Sequence, residues 1–169
     1  SDIHVGGKMN RERLFRVADL TNAQHPDLVL HTGDFLTHGG GGFDAPLYEA
    51  LERIGAPHGQ WACLGNHDFD DAEGLVQRLA GCGVTTLRNG VVSLWISGHP
   101  LEIAGLDYRF WHARRAGQYA EIVGNWKRRS GVPRVLLNHD PTGFKELPEG
   151  CADLVLSGHT HGGQIGIQL

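Results

Sequence analysis

The sequence predicts one α/β domain, and three observations carry that prediction. Short apolar runs at 28–30, 61–64, 135–137 and 154–156 each end in a corner of Gly, Asp, Asn or His. Stretches with apolar residues at helical spacing lie between these runs, so strand, polar corner and helix alternate along the chain. The third observation is size and composition: 169 residues with 40% hydrophobic and 20% charged content can bury a core and are too apolar for disorder.

Taken in order, Asp2 and His4 alternate, so on extended backbone their side chains share one face. Residues 10–24 read as a helix with Leu14, Val17, Ala18 and Thr21 on one stripe, ended by Pro26. The run 28–30 reads as a strand covered on both faces and leaves through Thr32-Gly33-Asp34. His38 and the glycines at 39–42 form a loop, either a connector or a mobile rim of a site. A helix over 45–54, through Leu47, Ala50, Leu51 and Ile54, precedes a strand over 60–64. Asp70 is the expected N-cap of a helix over 71–80, with Leu75, Val76 and Leu79 inward.

After a short strand at 85–87, residues 91–96 and 101–104 read as a hairpin across Ser97 and Gly98, with His99 and Pro100 lengthening the turn. Residues 108–130 change character: Arg109, Arg114, Arg115, Lys127, Arg128 and Arg129 stand against Glu121 alone. Ala116, Tyr119, Ala120, Val123 and Trp126 fall at helical spacing there. The stretch reads as a docked helix with a solvated basic face. With Phe110, Trp111 and Trp126 beside the arginines, it also reads as a patch for an anionic substrate or a membrane surface. The strands 135–137 and 154–156 close the series.

Composition removes several classes. A net charge of −4 gives no basic field for nucleic acid. No apolar run approaches the roughly 20 residues of a membrane span. Cys63, Cys82 and Cys151 are odd in number, far apart and without a C-x-x-C spacing, which suits reduced, buried thiols. The unusual count is 11 histidines, which invites a search for metal ligands.

That search centres on Gly65-Asn66-His67-Asp68, where three polar side chains follow a buried run without a spacer. Polar groups crowded at the exit of a buried strand are costly unless bonded, paired or ligated. If the strands share a sheet, their carboxyl ends gather Asp2, His4, Asp34, Asn66, His139, His159 and His161 at one edge. Carboxylate, amide and imidazole together suit first-row divalent metals without thiolate. Seven ligands exceed one tetrahedral site and suit two ions sharing a carboxylate, the usual clamp for displacement at phosphorus. His67 is left over, beside a ligand and followed by Asp68, as a candidate proton donor.

The residues resemble the calcineurin-like metallophosphoesterases, whose signature is D-x-H, G-D, G-N-H-[DE], a lone H and G-H-x-H. Here these blocks read Asp2-Ile3-His4, Gly33-Asp34, Gly65-Asn66-His67-Asp68, His139 and Gly158-His159-Thr160-His161, all in order. The finer wording, including Leu87-Arg88-Asn89 and Gly105-Leu106-Asp107, is similar to a bacterial branch. That branch includes membrane-associated phosphodiesterases and is similar to some hydrolases of UDP-diacylglucosamine in lipid A synthesis. The resemblance implies a sandwich of two mixed β-sheets flanked by helices. It implies a first ion held by Asp2, His4, Asp34 and His161, and a second by Asp34, Asn66, His139 and His159, with Asp34 bridging. His67 would face the leaving group, oriented by Asp68, while a metal-bridging hydroxide attacks phosphorus in line. The two divalent ions would be Mn first, with Zn, Fe, Co or Mg as alternatives.

The expected activity is hydrolysis of a phosphodiester in preference to a monoester. The expected substrate is a phosphorylated small molecule or a lipid-linked one, with no nucleic-acid partner. Peripheral membrane contact would run through residues 108–130, and the expected location is cytoplasmic or peripheral to a membrane. The family has a strand ahead of D-x-H and chain beyond G-H-x-H, so residues 1–169 read as one domain truncated at both ends, without any leader or anchor. The competing reading is a non-catalytic binding scaffold on the same fold; such chains lose ligands, and this one keeps all seven.

Overall fold

The apolar runs become two sheets whose strands point their carboxyl ends at a common rim. The computed structural model describes residues 1–6, 9–37, 44–108 and 115–161. The glycine loop and the Phe110 and Trp111 part of the basic stretch lie outside the described residues. The first sheet holds β1 (Val29–His31), β2 (Gln60–Ala62) and β3 (Val84–Thr86), in that order and parallel throughout. The second has the order β4 (Gly90–Ile96), β5 (His99–Leu106), β6 (Arg134–Asn138) and β7 (Leu154–Leu156); β4 and β5 are antiparallel and the remaining pairs parallel. The expected two-sheet sandwich is present, with one sheet mixed and the other wholly parallel.

Three apolar clusters define the layers. Helices α1 (Arg11–Asn22), α2 (Ala45–Glu52) and α3 (Ala72–Gly81) cover the outer face of the parallel sheet through Leu14, Leu47, Leu51, Leu75 and Leu79 against Ala62 and Val84. Cys63, Leu87, Ile103 and Leu137 fill the space between the sheets. Helix α4 (Arg115–Gly124) covers the far face of the mixed sheet, where Tyr119 and Val123 meet Ala104, Leu106 and Leu136. Strand alternation explains the continuous apolar run in β6, because Leu136 faces α4 and Leu137 faces the other sheet.

Several local expectations shift. The hairpin turn is only Ser97 and Gly98, with φ of 51° and 82°, the left-handed pair that a tight two-residue turn requires. His99 and Pro100 therefore belong to β5, opposite Ile96 and Trp95. The cap of α3 is Asp71, accepting from the Gly74 amide at 3.2 Å, because residues Asn66–Asp71 first form a 3₁₀ turn. Val17 is 44% exposed beside a cavity of about 240 Å³ between α1, α2 and β1. On that side β1 has no neighbouring strand among the described residues, so Val29 and Leu30 are only half-buried. Trp126, read both on the docked side of a helix and in a patch with the arginines, packs against the cluster under α4, and Arg128 pairs with Asp153. Cys63 and Cys82 are buried free thiols, whereas Cys151 is half-buried.

Candidate metal centre

The polar corners meet at one rim, which they reach from both sheets of the expected sandwich. Strands β1 and β2 deliver Asp34 and the Asn66-His67-Asp68 corner, while β6 and β7 deliver His139, His159 and His161. The first residues join by backbone: the Asp2 amide donates to Gly33 O at 2.9 Å and the His4 amide to Asp34 O at 3.0 Å.

The rim is built from unusual backbone. Asp2, His4, Asp34, His159 and His161 adopt φ of 54°, 47°, 56°, 69° and 50°. Left-handed backbone outside glycine costs about 1 kcal/mol or more per residue and persists where surroundings enforce it, often at functional sites. Two glycines let the β1 and β2 corners touch. A Cβ on Gly33, itself at φ 94°, would lie 2.2 Å from the Gly65 amide, and one on Gly65 would lie 2.1 Å from Asp34 Oδ1.

Asp34 occupies the centre and is 1% exposed. Its Oδ2 lies 3.3 Å from His4 Nε2 and 3.3 Å from His139 Nε2. Its Oδ1 accepts from the His67 amide at 2.9 Å. On one side, His4 Nε2 and His161 Nε2 approach to 3.1 Å, and Asp2 Oδ1 is 3.7 Å from His161 Nε2. On the other, Asn66 Oδ1 lies 3.1 Å from His139 Nε2 and 2.9 Å from His159 Nδ1. Asp2, His4 and His161 form one group able to hold an ion, and Asp34, His139 and His159 another. His4, Asp34 and His67 form a third by distance alone.

The chemistry of these donors fits a cation. His139 Nδ1 donates to the Thr32 carbonyl at 2.7 Å, which leaves a lone pair on Nε2 of the neutral ring. That lone pair faces Asp34 Oδ2 and Asn66 Oδ1, so acceptor meets acceptor unless positive charge sits between them. The pKa directions agree. Burial opposes protonation of His139, but the hydrogen bond and charge of Asp34 outweigh it and raise the imidazole. Burial likewise opposes ionisation of Asp34, yet the His139 hydrogen bond and charge, with the His67 amide, hold its carboxyl below the ordinary range. For His4 burial prevails over the charge of Asp34 and its pKa falls.

Asp68, expected to orient His67, is hydrogen-bonded to four backbone amides. Its buried carboxylate accepts from the backbone amides of Asp34 at 2.8 Å, Phe35 at 2.9 Å, Leu36 at 3.3 Å and Gly65 at 2.9 Å. It thereby ties the β1 corner to the β2 corner and sets His67 through the backbone. Burial pushes its carboxyl to about 6 against those amides. The His67 ring stands edge-on to His4, with centroids 4.9 Å apart. Sequence reasoning missed Thr32, which acts through its carbonyl and leaves no side-chain signal. It also left unplaced Tyr108, whose ring lies 6.0 Å from both His139 and His159.

Residues 1–163 match the family model of calcineurin-like phosphoesterases. The chain belongs to that family. Among relatives of this calcineurin-like chain, the Bacillus subtilis metallophosphoesterase YkoQ is 30% identical over 98% of the chain and 60% of its own length. Escherichia coli phosphodiesterase YaeI is 29% identical over 86% of the chain and 53% of its own length. Haemophilus influenzae NAD nucleotidase superposes with a TM-score of 0.61 at 19% identity, covering 88% of this chain and 35% of that one. The last likeness speaks to fold. The calcineurin-like chain spans between 36% and 62% of the length of curated relatives that come from animals and bacteria alike. Among the described residues no helix is long and apolar enough to cross a membrane.

Proposed function

We propose that the chain hydrolyses phosphodiesters at a centre of two divalent ions sharing Asp34. The observation that carries this reading is the position of Asp34 Oδ2, 3.3 Å from an imidazole of each donor group. In the proposal Asp2, His4, Asp34 and His161 hold one ion, and Asp34, Asn66, His139 and His159 the other. Mn²⁺ is the ion proposed first, with Zn²⁺, Fe, Co²⁺ or Mg²⁺ as alternatives that the same mixed oxygen and nitrogen donors tolerate. Such ions, when bound, polarise phosphoryl oxygens and lower the pKa of water.

The chain's own residues do the rest. Asp68 and the paired glycines hold the two corners at contact distance, so the donors are set before substrate arrives. The Thr32 carbonyl fixes the His139 tautomer. His67, beside His4 at the rim, donates a proton to the departing oxygen. The diester preference is supported by the phosphodiesterase name of YaeI, and the substrate proposed is a phosphorylated small molecule or a lipid-linked one.

Hydrolysis of bis(p-nitrophenyl) phosphate with Mn²⁺ should be abolished by EDTA and by Asp34→Asn, and elemental analysis should find two ions per wild-type chain. Activity surviving both treatments would remove the proposal.

A further inference from the structure

Strand β5 ends in Gly105-Leu106 and runs on into Asp107-Tyr108, a segment given no part in the proposed chemistry so far. Asp107 is pinned from every side. Its carboxylate accepts from Arg88 Nε at 2.7 and 2.9 Å and from Asn89 Nδ2 at 3.3 Å. Its amide donates to Asn89 Oδ1 at 3.0 Å, and its carbonyl accepts from the Tyr119 hydroxyl at 3.3 Å. Asn89 makes the two-sided contact with left-handed backbone, φ 52°. Arg88 is itself braced by Glu73 at 3.2 Å.

So much bonding on one residue fixes the direction of the next. Tyr108 leaves this clamp half-buried, with its ring centroid 6.0 Å from His139 and 6.0 Å from His159. The ring is tilted 39° to His159 and 73° to His139, which places it beside the Asp34, His139 and His159 group. Around the other donor group the ring neighbours are histidines: His4 against His161 and His67. Among the described residues the centre is therefore asymmetric: each donor group carries a pair of neighbouring histidine rings, and the Tyr108 ring is added beside His139 and His159.

We infer that Tyr108 is a specificity-determining residue: its ring packs against the group esterified to phosphorus and selects esters carrying a planar ring, aryl or nucleoside, over small alkyl esters. A rigidly held aromatic offers stacking area at little entropic cost. The leaving oxygen lies on the opposite, His67 flank, so the Tyr108 flank receives the substituent that stays. The inference rests on the phosphodiesterase reading.

The test uses two diesters with one leaving group, phenyl p-nitrophenyl phosphate and ethyl p-nitrophenyl phosphate, on the Mn²⁺-loaded protein. Tyr108→Ala should lower kcat/KM about fivefold for the phenyl ester, chiefly through KM, and less than about twofold for the ethyl ester. Tyr108→Phe should keep both. Equal losses on the two esters, or a Tyr108→Phe as damaged as Tyr108→Ala, would overturn the inference. Calorimetric binding of phenylphosphonate and methylphosphonate separates this from the underlying reading. A phenyl preference in the wild type that vanishes in Tyr108→Ala supports the ring contact even if neither ester is turned over, a result that would sink the phosphodiesterase reading alone. Equal binding of the two phosphonates by the wild type would overturn the contact.

Discussion

His67 is the one histidine of the G-N-H corner, and its backbone amide donates to Asp34 Oδ1. The ring is left at the rim beside His4, where proton donation to a departing oxygen is the chemistry available to it. His67→Ala should therefore cost more for a diester with an alkoxide-like leaving group than for a p-nitrophenyl ester, with losses of about 10²-fold or more on the former. Steady-state rates across a leaving-group series check this, and a uniform loss would assign His67 to binding. Most donors at this scale were legible because imidazole, amide and carboxylate at strand exits have few other economical explanations. Asp68 was legible as a site residue, but its hydrogen-bond partners were not. Four amides converge on it from a segment more than thirty positions upstream and from Gly65, a geometry that no local spacing encodes.

At the scale of elements, β5 and β6 are joined by a buried ion pair. Arg134, 2% exposed, donates through Nε to Glu102 at 2.9 Å, and the two residues are register partners in the ladder. Arg134 also reaches the carbonyls of Trp126, Lys127 and Cys151, which lead out of α4 and into β7. Arg134→Ala would leave Glu102 buried and unpaired, so it should destabilise by about 3–5 kcal/mol, whereas the double change with Glu102→Leu should recover part of that loss. Urea unfolding of the two variants makes the comparison. The helices and strands were readable from apolar spacing, since each period is local. Which strands share a sheet was not: the Asp34 and His139 exits look alike in sequence, and only pairing across distant segments assigns them to different sheets. The placing of His99 and Pro100 in the turn failed for a related reason, since Ser97 can adopt the left-handed conformation that makes two residues enough.

For the whole molecule, pH acts through His31, buried at the floor of the cavity between α1, α2 and β1. Burial depresses its pKa from 6.5 to about 4, although the hydrogen bond with Gln60 pulls the other way. Between these values the unfolded chain binds a proton that the folded chain refuses. This contribution is thus fully present above pH 6.5 and fades as pH falls toward 4, amounting to about 3 kcal/mol. Unfolding free energies for the wild type and His31→Leu, measured over that window, should differ in slope, the wild type losing about 3 kcal/mol relative to the variant as the pH drops; parallel curves would clear His31 of the role.

The division of the rim between two sheets has a thermodynamic corollary. A cation held by Asp34 and Asn66 from one sheet, and by His139 and His159 from the other, acts as a clasp across their interface, since ligand binding adds its free energy to whatever it joins. Affinity at the centre then depends on how firmly Cys63 and Leu87 seat against Ile103 and Leu137, far from any donor atom. The interior of the sandwich and the chemistry at its edge are, in that sense, one equilibrium.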